Sequence, residues 1–267
     1  MKLKKVLFPV LLIILALTAV ISLTIGKYPL ELIEIAAFLL LKTFNVGAME
    51  PERYSLLGSV LLDIRMPRIL AAALIGASLS VAGASFQAMF VNPLVSPSLL
   101  GVLAGASFGA ALGMVFSDSW LAVQCLTFFF GFLSVLIAVG IAKMHKGNAI
   151  LLLILGGVIS SALFTSLLSI IKYIADPSNQ LPAIVQWLMG GLSLVDYRTL
   201  MFAGIPQLVS IMLMILFSGY LNALSMGDEE ARSLGIPVEW IRMFLIFLAT
   251  LMSALTVVLA GMIGWVG

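Results

Sequence analysis

Seven apolar stretches divide this chain, near residues 6–25, 67–91, 98–116, 120–142, 148–172, 199–221 and 241–260, and none has a charge at its centre. A helix crosses the hydrocarbon layer of a bilayer in about 20 residues, which is the length of these stretches. Helix is the only open-ended choice there, because each unpaired backbone amide in lipid costs several kcal/mol. The chain is therefore expected to be an all-α polytopic membrane protein with seven visible spans. Its 62% hydrophobic content and mean hydropathy of +1.21 agree, since a soluble domain carries about 45–50% apolar residues. The first run exceeds the about 7–15 residues of a signal-peptide core and has no small-x-small cleavage site, so it reads as a retained span.

Several function classes drop out. A net charge of +2, with no basic cluster larger than Lys2, Lys4 and Lys5, gives no footprint for nucleic acid. Cys125 is alone and lies in an apolar run, so neither an intrachain disulfide nor a cysteine metal site is available. His145 sits in a Lys-Met-His-Lys-Gly turn and reads as a solvated loop residue. Nothing matches GxxxxGK[ST], HExxH or GxSxG. No catalytic residue, metal site or bound cofactor is expected in this chain. An ion-coupled secondary transporter would place ionisable pairs within its spans, and a membrane enzyme would need a convergent acid, base or metal set. The spans contain neither.

Between the first two spans, Pro29 to Phe44 opens with proline, holds acids early and lysine late, and predicts a surface helix. Orientation by charge is a tie. With a cytoplasmic N-terminus, the inner loops hold Lys2, Lys4, Lys5, Lys143, Lys146, Arg232 and Arg242, and the outer loops hold Lys27, Lys42, Arg53, Arg65, Arg68, Lys172 and Arg198. The flank of the first helix then favours that placement. Small residues recur every four positions at Gly101, Gly105, Gly109 and Gly113 and again at Ala72, Gly76, Ser80, Ala84 and Ala88. Such faces let helix backbones approach closely in lipid. They serve either as packing seams or as surfaces that slide.

One segment breaks the pattern. Charged residues are 10% of the chain, yet Asp228, Glu229, Glu230, Arg232, Glu239 and Arg242 fall within the seventeen positions of MGDEEARSLGIPVEWIR. Ser225 precedes Asp228 at capping-box spacing, three acids fill a first turn, Gly235 suits a left-handed cap and Pro237 suits a helix start. The segment predicts a short helix over 227–234, a tight Gly-Ile-Pro turn and a helix that becomes the last span. It is either a solvated linker or a stiff elbow that passes force from a soluble partner to the membrane.

The stretch RMPRILAAALIGASLSVAGASFQAMFVNPLVSPSLLGVLAGASFGA carries R-x-P-R, G-A-x-L-x-x-x-G and N-P-L-x-x-P-x-x-L-G. With GDEEARSLGIP and the terminal AGMIGWVG, it resembles the binding-protein-dependent permeases of iron-siderophore, haem and cobalamin uptake, the FecCD type. The blocks occur in the order of that family over nearly the whole chain. The resemblance implies a type II ABC importer permease fold in a bacterial cytoplasmic (inner) membrane, as one transmembrane domain over 1–267 with a cytoplasmic coupling elbow at 222–239. Relatives of this kind continue for three more spans, so seven of ten are expected within these residues and the C-terminal three beyond them.

The resemblance also implies partners. A second copy of the chain would complete the pore, two separate ATP-binding subunits would bind ATP and magnesium, and a periplasmic or extracellular substrate-binding protein would deliver cargo. Carried over by position, Ala231, Leu234 and Gly235 would meet the ATPase, with Asp228, Glu229, Glu230 and Arg232 setting charge complementarity. Arg65 and Arg68 would meet acids of the binding protein; without it they read as snorkelling anchors of the second span. Ser160, Ser161, Thr165, Gln186 and Trp187 are the pathway candidates. Cargo among ferric siderophores, haem, cobalamin, other metal chelates, molybdate and tungstate stays open.

Overall fold

The structure, a computed structural model, describes residues 2–93, 95–144, 149–193 and 195–263. His145 and Lys146, Leu94 of the N-P-L block and the last four residues of AGMIGWVG lie outside them. Among the described residues every regular element is helical. The chain forms two compact units, Met1–Ala72 and Ala73–Gly267.

In the first unit, α1 (Lys2–Thr24) buries none of its residues from Leu7 to Thr24 and exposes most of its apolar side chains there. That is a helix whose solvent is lipid. The surface helix α2 begins later than predicted, at Leu32, and ends at Phe44, where Asn45 turns left-handed at φ 55° and donates its N–H to the Leu41 carbonyl. Leu30, Ile35 and Phe38 pack on Leu57 and Leu61. Those partners belong to α3 (Pro51–Gly58) and a π-helical turn over Ser59–Arg65, neither of which the hydropathy pattern marked. Proline at the first position starts α3 well. The helix continues without a break into α4 (Met66–Phe90), so Pro51–Phe90 is a single 40-residue rod.

The second unit holds α5 (Val102–Phe116), α6 (Trp120–Met144), α7 (Ala149–Ile174), α8 (Gln180–Met189), α9 (Tyr197–Leu216), α10 (Ser218–Leu224), α11 (Asp228–Ser233) and α12 (Val238–Ala260). Six described helices are long and apolar enough to cross a membrane, not seven. The exception is the third predicted span. Pro97 starts a 3-10 turn, Pro97–Leu100, and Gly101 at φ 84° breaks the helix before α5 begins. Fifteen residues of α-helix reach about 22 Å, short of the ~30 Å hydrocarbon layer. The interior of the unit takes α5 instead: Val102, Ala106 and Ala110 are fully buried.

The glycine stripe explains how α5 fits. A methyl group on Gly105 would press on the Phe130 carbonyl, on Gly109 the Leu126 carbonyl, on Gly113 the Val123 backbone and on Gly101 the Ser134 hydroxyl, each within 3.0 Å. All four contacts belong to α6. The stripe is a packing seam at backbone distance. Gly76 behaves otherwise: among the described residues nothing lies within 4 Å of its missing methyl, so the predicted packing role finds no partner there. Gly157 does the equivalent work unpredicted, seating α7 against the Leu99 carbonyl of the 3-10 turn.

The centre of the unit is α12, from Leu245 through Met252 to Leu259 almost wholly buried. Gln207 of α9 ties to it, its amide nitrogen donating to the Thr256 hydroxyl at 3.0 Å and the Met252 carbonyl at 3.3 Å. The start of α9 is set by Asp196, which accepts from the Thr199 amide at 2.8 Å and its hydroxyl at 2.6 Å. Burial alone would raise the Asp196 pKa, and the Thr199 bonds outweigh it and lower the value. Asp196→Ala should cost about 1 kcal/mol of stability while Asp196→Asn keeps most of it; thermal unfolding in detergent measures the difference.

Candidate functional site

The charged segment folds as a short helix followed at once by α12. Gly227 adopts φ 115° before α11, and Ser225 donates to the Asn222 carbonyl at 2.7 Å. The predicted capping box between Ser225 and Asp228 is therefore absent, because Ser225 closes α10 and Gly227 occupies the N-cap. The far end follows the sequence. Gly235, at φ 77°, donates to the Arg232 carbonyl at 2.9 Å and Ile236 to that of Ala231 at 3.2 Å. Together these are a Schellman stop. Pro237 then caps α12.

Two ties hold α11 to α12. Ala231 is fully buried, in one apolar cluster with Leu224, Val238, Ile241 and Leu245. The second tie is ionic: both terminal nitrogens of Arg242 donate to the two carboxylate oxygens of Asp228, one at 3.0 Å. Only 11% of the Arg242 side chain is exposed. Its hydrogen bonds hold the Asp228 carboxyl below its ordinary 3.8, against the opposing pull of burial. A depressed carboxyl stabilises the fold above its unfolded pKa and loses that contribution as pH falls through the lower folded value. The pair should therefore stay ionic throughout pH 5–8. The stability lost in Asp228→Asn should be the same at pH 5 and pH 8, a comparison of melting temperatures in detergent.

What the elbow presents outward differs from the family carry-over in two places. Ala231 is fully buried, and Asp228, its side chain 42% exposed, spends both carboxylate oxygens on Arg242. Glu229, Glu230, Leu234 and Gly235 are exposed, with Met226, Leu234 and Trp240 each above 60%. Arg232 lies 3.7 Å from Glu239, but both side chains are largely solvated. Such a surface pair contributes little. The outward face carries the apolar side chains of Met226, Leu234 and Trp240 together with three exposed carboxylates, Glu229, Glu230 and Glu239, and Arg232. A cavity of about 620 Å³ opens beside it, lined by Lys143, Trp240, Arg242 and Ile246 among others.

The opposite end of α12 lies about 33 Å away. There a second cavity of about 340 Å³ is lined by Gln186, Trp187, Gln124, Trp120 and Asp196. Gly190, at φ 68°, and Gly261, at φ 67°, let the ends of α8 and α12 touch, with the Gly191 amide donating to the Ala260 carbonyl at 2.7 Å. Two predicted pathway residues, Gln186 and Trp187, thus line one cavity. Ser160 does not: it is fully buried and bonded to the Ser134 hydroxyl at 2.9 Å and carbonyl at 2.8 Å. It clasps α7 to α6. Ser161 is half-buried against Gly101, and Thr165 is exposed on α7. Neither lines this cavity. Gln124 and the stacking of Arg198 on Trp120, 4.3 Å from the ring centre, were not anticipated. A glutamine or arginine at a span's edge carries no distinguishing pattern.

Arg65 also departs from its expected role. It is buried, and its guanidinium donates to the Leu23 and Tyr28 carbonyls over Gly26, which has no side chain to block it. These bonds leave it facing inward in the first unit, not toward a partner. Arg53 is similarly engaged by Glu34 and Tyr28. Two of the cations that the charge count assigned to outer loops are thus internal ties. Arg68 is half-buried.

A family model described as the FecCD transport family matches residues 13–267. The chain is similar to the molybdate import system permease protein MolB of Haemophilus influenzae, 37% identical over 98% of this chain and 76% of that one. It is similar to an iron chelatin transport system permease protein of Helicobacter pylori, 37% identical over 81% of this chain and 65% of that one. The hemin transport system permease protein HmuU of Yersinia pestis is 34% identical over 77% and 63%. The chain thus spans about three quarters of the Haemophilus relative and less than two thirds of the other two. A metal-chelate type ABC transporter solved in an inward-facing conformation superposes with a TM-score of 0.83 and 36% identity, over 99% of this chain and 78% of that chain.

Proposed function

This chain belongs to the FecCD transport family, and on that premise we propose that it is the membrane-spanning subunit of an ATP-driven importer for a metal chelate or a metal oxyanion. The observation that carries the reading is the elbow: an exposed helix with a Schellman stop at its C-terminus, locked to α12, the most deeply buried helix of its unit. A membrane protein needs no such rigid external lever unless something pushes it. The chain itself breaks no covalent bond. ATP and magnesium belong to two partner subunits at the elbow face, and a second copy of the chain completes the pore. A substrate-binding protein loads it from the opposite side of a bacterial inner membrane.

Closure of the ATPase pair would press both elbows, tilt α12 and exchange the side to which the pathway opens. The cavity at Gln186 and Trp187 lies where such a pathway would begin. Its lining of two amides, two indoles and the Asp196 carboxylate, which Thr199 already engages, suits a cargo handed over and released. The relatives' names support molybdate, iron chelates and haem as cargo classes. The test uses vesicles holding the chain with its ATPase and binding protein, offered labelled molybdate, a ferric siderophore and haem in turn. ATP-dependent accumulation of one of them is expected; accumulation driven by an ion gradient without ATP would overturn the reading.

A further inference from the structure

The acids of the elbow invite a single role, meeting a basic partner surface. The geometry divides them. Glu229 and Glu230 are exposed, whereas Asp228 is engaged through both carboxylate oxygens by Arg242, fourteen residues further on and in the next helix. Between the two helices lies Gly235-Ile236-Pro237, with Gly235 at positive φ and no side chain within 4 Å of its missing methyl. A turn of that kind, left alone, is a hinge: it would bend under load before α12 tilted. The apolar contact of Ala231 with Val238 and Ile241 resists sliding, yet it has no preferred direction. A bidentate guanidinium–carboxylate pair does, because its two parallel bonds fix both distance and angle.

We propose that Asp228 and Arg242 form a strut that stops the hinge at Gly235 from absorbing the partner's stroke, so that Arg242 is a positioning residue for transport and Asp228 is no part of the docking surface. The inference rests on the importer reading of the elbow. Docking then belongs to Leu234, Met226, Glu229 and Glu230, and transmission to the strut. The two functions separate by mutation.

Asp228→Asn, Arg242→Gln and the exchange variant Asp228→Arg with Arg242→Asp are compared with wild type, after co-purification with the ATPase subunit and reconstitution in vesicles. Each single variant is expected to hold the ATPase as wild type does. Each should hydrolyse ATP but accumulate about tenfold less cargo per ATP, the scale of a typical coupling between sites. The exchange variant should recover most of that ratio. Gel filtration and melting temperature of each variant separate uncoupling from misfolding, and recovery by exchange of charge is not expected of a residue that only fills space. Loss of ATPase from Asp228→Asn with the fold intact would make Asp228 a docking residue and overturn the strut. So would an unchanged ratio of cargo to ATP in both single variants. If wild type itself brings down no ATPase, the importer reading has failed rather than the strut.

Discussion

Gly109→Leu is expected to yield no monodisperse protein in detergent, with any folded fraction melting well below wild type. The Gly109 methyl position is already occupied by the Leu126 carbonyl and the Thr127 backbone of α6. Overpacking in a core typically costs about 1–3 kcal/mol when side chains can shift. A backbone carbonyl held in its own helix cannot shift by a change of rotamer, so α5 and α6 must separate along the whole seam. The cost then spreads to Gly105 and Gly113, which sit on the same face against Phe130 and Val123. Gly140→Ala is the control. Nothing lies within 4 Å of its methyl position, and alanine in mid-helix should gain up to about 1 kcal/mol. A Gly109→Leu protein that purified and melted like wild type would show that the seam is not the packing that holds α5 in place.

Leu234→Asp should have the opposite profile: a normal fold and a lost partner. Leu234 is 64% exposed and contributes nothing to the apolar core of its unit. Its place at the C-cap of α11, ahead of the Gly235 stop, puts it at the tip of the elbow. A buried apolar anchor at the centre of an interface is worth about 2 kcal/mol or more, roughly a thirtyfold change in binding. Replacing it by a third carboxylate beside Glu229 and Glu230 removes the anchor and adds like charge. Recovery of the ATPase subunit in a pull-down should fall by about that factor, while gel filtration and melting stay as wild type. Undiminished recovery would move the docking surface elsewhere on the chain.

The spans and the elbow were legible because each rests on short-range chemistry. A run of about 20 apolar residues must be helical in lipid, and Gly235 with Pro237 can stop one helix and start another without reference to the rest of the fold. The seam along α5 was legible too, since spacing by four puts Gly101 to Gly113 on one face; which helix it meets was not. Local pattern misled where one residue inside the window, or a distant packing partner, decided the geometry. Gly101 turns a hydrophobic run into a 3-10 turn and a 15-residue helix, and hydropathy averages over that break. Pro51–Arg65 is helical although its average polarity hides it, because Leu57 and Leu61 bury one face against Phe38.

The candidate sites were harder, since side-chain commitments are long-range. Arg65 is spoken for by two carbonyls near Gly26, and Asp228 by an arginine fourteen residues away. Ser160 is consumed by Ser134 of the neighbouring helix. Family position singled out a segment in the elbow and one in α8. It could not say which of its residues face inward, because burial is decided by the neighbouring helix and not by the motif. Ala231 shows this most plainly: small and conspicuous in the GDEEARSLGIP block, it is the residue on which α11 seats against α12.

The central claim is that the elbow is driven by a separate ATP-hydrolysing subunit. Affinity purification of the full wild-type chain from its own membranes in mild detergent, followed by assay of the co-purifying material for ATP hydrolysis, tests it most directly. The account predicts that a P-loop ATPase accompanies the folded chain in equal numbers, is retained by Gly140→Ala and is lost from Leu234→Asp. A folded, monodisperse wild-type chain that never carries an ATPase would contradict it.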